Sequence, residues 1–436
     1  MQINKLHIQN YKCFEEVSMD LHPRFNLLVG GNGSGKTAVC EALAVALGHI
    51  IKVVDFDGSA FIDDIKRKNV RTVTFDGQPK PQYPSSSYVD CNLWGEYFQQ
   101  LGTYLKPKNG GVGSIVWRKS DNLFYEKLEN SRKGVKIIFP LVTYYGTGRL
   151  WGWTDNTKVK KEEIPSFKQK EGVMLAYQDC LTPNSSNEAF ISWYKTIDYE
   201  IQRLDQPHLT ALRKVLNDGI SSMVPDWEYI YFSPLDDDLV GVTNGEKRFF
   251  RQLSDGYRNT IGMVADMIYR CIQLNPHLGE NVLKETPGVV LIDEIDLHLH
   301  PLWQSRVIAD LQRIFPKVQF VATTHSPTVV ANYANGALFV IGNDHSVRLC
   351  DEKYFGKEIN EVLETVLGAP DRHKETQEKL DRLFQMIDEE RPEGEFEELL
   401  TTLKTLLGLE DKEIQRAESL IAWNNFKREN PDAVHS

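Results

Sequence analysis

Gly30-Gly31-Asn32-Gly33-Ser34-Gly35-Lys36-Thr37 fits the pattern G-x-x-x-x-G-K-[ST]. An apolar run, Phe25 to Val29, precedes it and reads as a buried strand. Ala38 to Leu47 follows as a helix with apolar residues on more than one face. Strand, glycine turn and helix is the context a phosphate-binding loop requires. Glycines let backbone N–H groups converge on phosphate oxygens. The helix presents its positive end to the same anion. Lys36 is then placed to reach β- and γ-phosphates, and Thr37 to ligate Mg²⁺. The expected ligands are ATP and Mg²⁺.

Outward from this loop, composition narrows the choices. The chain has 436 residues, enough for two or three domains, with a globular balance of apolar and charged side chains. Its formal net charge of −11 excludes a basic coat over the whole surface but leaves room for a local groove. The six cysteines, Cys13, Cys40, Cys91, Cys180, Cys271 and Cys350, form no C-x-x-C pair. That pattern suits a reducing cytoplasm rather than a zinc ribbon or disulfide framework. The opening MQINKLHIQNYKCF has no apolar signal core, and no run approaches the length of a membrane span, so no membrane role is expected.

Val289-Val290-Leu291-Ile292-Asp293-Glu294 has the form of a Walker B strand. Apolar residues bury the strand, and two acids emerge at its carboxyl end, where open α/β sheets bind ligands. Alone this is an ordinary strand that ends in acids. Behind a P-loop it becomes a catalytic pair, with Asp293 on Mg²⁺ and Glu294 orienting the attacking water.

Leu253-Ser254-Asp255-Gly256-Tyr257-Arg258 is similar to the L-S-G-G-Q signature of ABC ATPases, with Asp255 and Tyr257 as departures. A plain helix cap would also explain Ser254. Its place upstream of the acids favours the signature. Leu6-His7-Ile8-Gln9-Asn10-Tyr11-Lys12-Cys13-Phe14 resembles the L-x-I-x-N-[FY]-[RK]-x-F opening of the RecF, SMC and OLD-like branch. Asp293 to Pro301 resembles the D-E-[IP]-[ED]-x-x-L-H-P form of its single-chain members. The resemblance implies an α/β ABC-type P-loop ATPase head, with a mixed sheet and an antiparallel β subdomain. It further implies that Ser254, Asp255 and Gly256 face the nucleotide of a second protomer. Asp296 to His300 would be the D-loop, and His325, in Thr-Thr-His-Ser-Pro, the switch histidine near the γ-phosphate.

A narrower resemblance rests on Tyr144-Tyr145-Gly146-Thr147-Gly148-Arg149 and Glu413 to Ile421, which look like the ATPases of Septu-type anti-phage systems. Such ATPases work with a separate HNH nuclease. That implies a nucleotide-sandwiched homodimer, or a higher oligomer, that regulates a nuclease and meets DNA through the complex. The alternative is a DNA-binding repair or chromosome-maintenance ATPase, which the acidic charge disfavours. An intrinsic nuclease is not expected: neither H-N-H nor D-x-D follows His325, and Asp236-Asp237-Asp238 reads as a solvated turn.

The expected divisions are 1–65 and 226–350 as the two halves of the head, 66–225 as an inserted, α-rich lobe with strands and helices, and 351–436 as a helical region. Within the insert, Tyr88 to Leu105 reads as a short helix, and Asn187 to Val224 as two helices broken at Pro207. Asn244-Gly245 marks a hairpin. The usual Q-loop glutamine is not evident, and Arg149 is the available substitute. In the tail, Leu380, Leu383, Phe384 and Ile387 make one helical stripe, and Phe396, Leu399, Leu400, Leu403 and Leu407 another. Each stripe has an apolar face to bury, and ordinary core packing explains it.

Overall fold

The computed structural model describes residues 1–51, 65–107, 112–115, 117–148, 169–182, 194–195, 207–224, 227–236, 238–370, 372–389 and 393–429. They fall into two compact units, Met1–Val362 and Leu363–Ser436. Arg149 and most of the stretch from Asn187 to Gln206 lie outside the described residues.

The first unit begins with β1 (Gln2–Tyr11), β2 (Phe14–Asp20) and β3 (Phe25–Gly30), followed by the P-loop helix Lys36–Ile51. Next come β4 (Thr72–Phe75), β5 (Gln78–Pro81), β6 (Ser85–Leu93), β7 (Glu96–Leu105), β8 (Val112–Ile115) and β9 (Leu141–Tyr145). The chain continues through β10 (Tyr229–Ser233), β11 (Asp238–Thr243), β12 (Glu246–Phe249) and the signature helix Asp255–Leu274. It closes with β13 (Gly288–Ile292), β14 (Val318–Thr324), β15 (Ala337–Ile341) and β16 (Val347–Leu349).

The central sheet has the order β16-β15-β3-β14-β13-β9 and is parallel except at its β15–β16 edge. Every residue of β3, β9, β13 and β14 is buried, as continuous apolar strands covered on both faces require. A five-stranded sheet, β2-β1-β6-β7-β8, is antiparallel throughout. The P-loop helix packs on β6 and β7 of this sheet and on β3, β13 and β14 of the other. Being enclosed from two sides explains its apolar residues on several faces. Fold class is therefore as expected, a mixed α/β head with an antiparallel β subdomain.

Two readings are corrected. Tyr88 to Leu105 is not helical: it forms most of β6 and β7, turning at Trp94 and Gly95, both at positive φ. β6 is buried along nearly its whole length, whereas β7 carries several exposed residues. The expected boundary at residue 66 does not hold either, because β6 pairs directly with β1 and β9 with β13. These segments of the expected insert complete the head's own sheets. Asn244-Gly245 does form the hairpin between β11 and β12, with φ of 51° and 77°. Leu302 to Ile314 is two helical pieces, Pro301–Gln304 and Val307–Ile314.

Gln319 on β14 ties the two sheets together. Its Oε1 accepts the Ile3 N–H (2.8 Å), and its Nε2 donates to the Ile3 carbonyl (2.8 Å) and the His22 carbonyl (2.9 Å). One amide thus satisfies β1 where its pairing with β6 shifts register between Ile3 and Lys5.

The second unit contains helices Lys374–Asp388, Glu393–Leu407 and Lys412–Glu429. Leu380, Leu383, Ile387, Leu403, Ile414 and Ala417 form its core, with Phe384, Phe396, Leu399, Leu400 and Leu407 packed against them. The two stripes therefore pack on each other as core. Among the described residues, no helix is long and apolar enough to cross a membrane.

Gln319→Leu strands two buried backbone groups of Ile3 and one carbonyl of His22, at about 1–3 kcal/mol for each orphaned group. The expected result is a loss of at least ~2 kcal/mol in denaturant unfolding. A change within ~0.5 kcal/mol would refute the tie.

Candidate nucleotide site

β3 ends at Gly30, and the P-loop turns with Gly33 at φ 78° and Gly35 at φ 115°. A Cβ on Gly35 would lie 2.6 Å from Phe14 Cζ and 2.7 Å from Cys13 Sγ. The N-terminal Tyr11-Lys12-Cys13-Phe14 turn therefore braces the loop from outside. His345 adds a second brace, its Nδ1 lying 2.9 Å from the Ser34 carbonyl.

Lys36 is buried, and its Nζ donates to the Gly30 and Gly31 carbonyls (3.0 and 2.9 Å). Among the described residues it has no ion pair. Burial lowers its pKa, opposed by Asp293, Glu294 and Asp296. Ser34 Oγ is buried without a hydrogen-bond partner. A lysine held by two carbonyls and an orphaned hydroxyl inside a glycine cradle fit a phosphate group.

The acids stand across from this loop. Thr37 Oγ1 donates to Asp293 Oδ2 at 2.8 Å. Thr323 Oγ1 donates to Asp293 Oδ1 at 2.6 Å and accepts the Glu294 N–H at 2.7 Å. Asp293 N–H donates to the Tyr145 carbonyl at 2.8 Å, so backbone and carboxylate are both fixed. Glu294 then leaves the strand in the left-handed region, φ 49°, and Ile295 N–H returns to the Thr323 carbonyl. This sparsely populated backbone turns the chain just after β13 has ended at Ile292. Thr324 Oγ1 donates to Asp296 Oδ1 at 2.6 Å, so β14 positions the D-loop as well. The Thr37 hydroxyl against the Asp293 carboxylate is the oxygen set that would hold Mg²⁺.

His325 follows β14 and shares this electrostatic neighbourhood. Burial lowers its pKa most, then the Lys36 ammonium, with Asp296, Glu294 and Asp293 opposing. It is therefore neutral at pH 7, able to accept or donate one hydrogen bond.

The signature stands apart. Ser254 begins the helix Asp255–Leu274, is exposed, and makes no side-chain cap bond. Asp255 is exposed and pairs with Arg258. Gly256 is packed so closely on the D-loop that a Cβ would lie 2.1 Å from the His298 carbonyl oxygen. Tyr257 stacks at a tilt on Trp303, with centroids 4.5 Å apart. Within one chain, the described residues bring Lys36, Thr37, Asp293, Glu294 and His325 together and leave Ser254 facing solvent.

Sequence reasoning missed three features. Thr323 bridges both acids, and nothing in Thr-Thr-His distinguishes it from its neighbour. The second is a buried network in which Tyr145 Oη and Arg270 Nε both donate to Asp266 Oδ2 (2.7 and 2.8 Å). Arg270 also donates to the Ala176 and Gln178 carbonyls. It joins the signature helix to β9, the strand that holds the Asp293 N–H. An Asp and an Arg four apart on a helix suggested only a surface pair. Third, Asp238 is no solvated turn residue: it is fully buried and paired with Arg251 at 3.1 Å. Asp237 lies outside the described residues.

A family model for the AAA domain matches residues 5–212, and a second AAA-domain model matches 185–331. The Septu protein PtuA of Bacillus thuringiensis is 32% identical over 424 residues, covering 91% of each chain. The chain belongs to the PtuA family of AAA-type ATPases. The retron Ec83 probable ATPase of Escherichia coli is 26% identical over 410 residues, covering 79% of this chain and 72% of that one. The SMC head domain from Thermotoga maritima aligns with a TM-score of 0.43 at 13% identity, over 81% of this chain and 100% of that one.

Thr323→Val keeps the shape of β14 but removes the hydroxyl that orders both acids. ATP turnover should fall about tenfold to a hundredfold, while nucleotide binding, which rests on Lys36 and the loop, changes less than about threefold. Equal losses in both would overturn this assignment.

Proposed function

We propose that this PtuA-family chain is an ATP-driven dimer switch that regulates an HNH nuclease subunit in anti-phage defence. The observation that carries the dimer is the division of the site: Lys36, Thr37, Asp293 and Glu294 are assembled within one chain, with Lys36 and Asp293 buried, whereas Ser254 is exposed and uncapped. Two copies arranged head to tail would place Ser254, Asp255 and Gly256 of one against the γ-phosphate bound by Gly30 to Thr37 of the other.

Each residue then has a task. Lys36 gives up its carbonyl partners for β- and γ-oxygens, and the backbone of Gly31, Asn32, Gly33 and Gly35 lines the phosphates. Thr37 and Asp293 would hold Mg²⁺, which supplies charge neutralisation across those oxygens. Glu294 orients the attacking water and accepts its proton. Neutral His325 hydrogen-bonds the γ-phosphate and loses that partner when phosphate leaves. Asp296 to His300, packed under Gly256, couple the two half-sites.

The resemblance to Septu-type ATPases, which work with a separate HNH nuclease, supports the nuclease partner. DNA is then met through the complex, and assembly beyond the dimer would build on the same unit.

Glu294→Gln with ATP and Mg²⁺ should accumulate a dimer in analytical ultracentrifugation, with turnover down about a hundredfold or more. A monomer under those conditions, or unchanged turnover, overturns the dimer mechanism. Co-expressed HNH subunit should copurify with the chain and change its cleavage of DNA with nucleotide state. Tight, salt-sensitive DNA binding by the chain alone, with no nuclease retained, would favour a repair ATPase instead.

A further inference from the structure

Beside Ser254 lies a cleft of about 250 Å³. The β11–β12 hairpin forms one side of it, and the start of the signature helix the other. Its floor is Trp227, whose ring lies flat on β11 because residue 241 is glycine: a Cβ there would lie 2.7 Å from the ring. Tyr257, held by Trp303, forms a wall.

Three polar groups in this cleft are left open among the described residues. Thr243 is only 8% exposed, yet its hydroxyl has no hydrogen bond. Arg248 is exposed at the rim and has no ion pair among the described residues. Ser254 makes no cap bond. A buried orphan hydroxyl costs about 1–3 kcal/mol, so natural proteins keep few without a use. Here it opens into a space with an aromatic floor, a phenol wall and a free guanidinium.

We propose that this cleft takes the base and sugar of a nucleoside phosphate, and so sets which nucleotide the assembled site accepts. Aromatic faces suit a heterocycle. The Thr243 hydroxyl meets its edge or its sugar. Arg248 and Ser254 face the phosphate end, where a guanidinium forms charge-assisted bonds. Pockets for drug-sized ligands run about 300–1,000 Å³, so this one suits a fragment such as a nucleoside rather than a folded partner. The nucleoside phosphate has two sources: the nucleotide in a second copy's P-loop, which rests on the dimer reading, or a free nucleotide, which does not.

The test uses the full chain and two variants, Thr243→Val, which keeps the side-chain shape, and Arg248→Ala at the exposed rim. In the first arm each is combined with Glu294→Gln, and dimerisation is titrated with ATP, GTP and CTP. For a nucleotide held by the second copy, each variant raises the ATP concentration for half-dimerisation about tenfold and flattens the preference among the three. ATP binding to the dilute monomer stays unchanged. In the second arm, Lys36→Ala disables the P-loop, and AMP binding is measured by calorimetry. Binding that persists in Lys36→Ala and is lost on adding Thr243→Val or Arg248→Ala identifies a free nucleotide as the ligand.

Parental dimerisation and selectivity in both variants, together with no AMP binding to Lys36→Ala, would overturn the cleft assignment. If Glu294→Gln forms no dimer, the dimer reading fails by itself, and the second arm alone decides the cleft.

Discussion

The Asp293 carboxylate accepts one hydroxyl on each oxygen, from Thr37 on the P-loop helix and from Thr323 on the neighbouring strand. Those two bonds hold the nucleotide loop, the acid strand β13 and β14 in one register. Asp293 is almost completely buried. A buried carboxylate is costly unless it is well hydrogen-bonded, so the three elements must stay together. The same Thr323 hydroxyl takes the Glu294 N–H, and the Tyr145 carbonyl takes the Asp293 N–H. The geometry of both acids therefore depends on strand order in the central sheet.

That order also explains why β9 matters. It is the edge strand beside β13, and its last residue, Tyr145, reaches into the signature helix through Asp266. Arg270 completes a buried ion pair there, with side chains only 7% and 2% exposed. Such pairs contribute little net stability against an apolar alternative, but losing one partner is strongly destabilising. Placed between the signature helix and the acid strand, this one makes the two elements move as a unit.

The P-loop is braced with similar economy. The positive-φ turn around Lys12 presses Cys13 and Phe14 against Gly35, and Gln319 sews the same β1 strand to β14. The antiparallel sheet is in this sense a clamp on the nucleotide loop, and its strands β6 and β7 are a working part of the head.

What the sequence determined by itself is the chemistry held in contiguous motifs. A phosphate cradle needs successive backbone N–H groups, and a Walker B strand needs apolar residues followed at once by acids, so both are written locally. Hydrophobic periodicity likewise revealed the C-terminal helices, and turn chemistry the Asn244-Gly245 hairpin, because each depends on near neighbours. Tertiary structure alone decided that Thr37 meets Asp293 and that Thr323 serves both acids. It also decided that Tyr88 to Leu105 forms strands, with β6 pairing on β1, and that the Thr243 hydroxyl has no hydrogen-bond partner among the described residues. These are encounters between segments far apart in the chain. Sheet order and burial select them, and no local spacing encodes which hydroxyl will face which carboxylate.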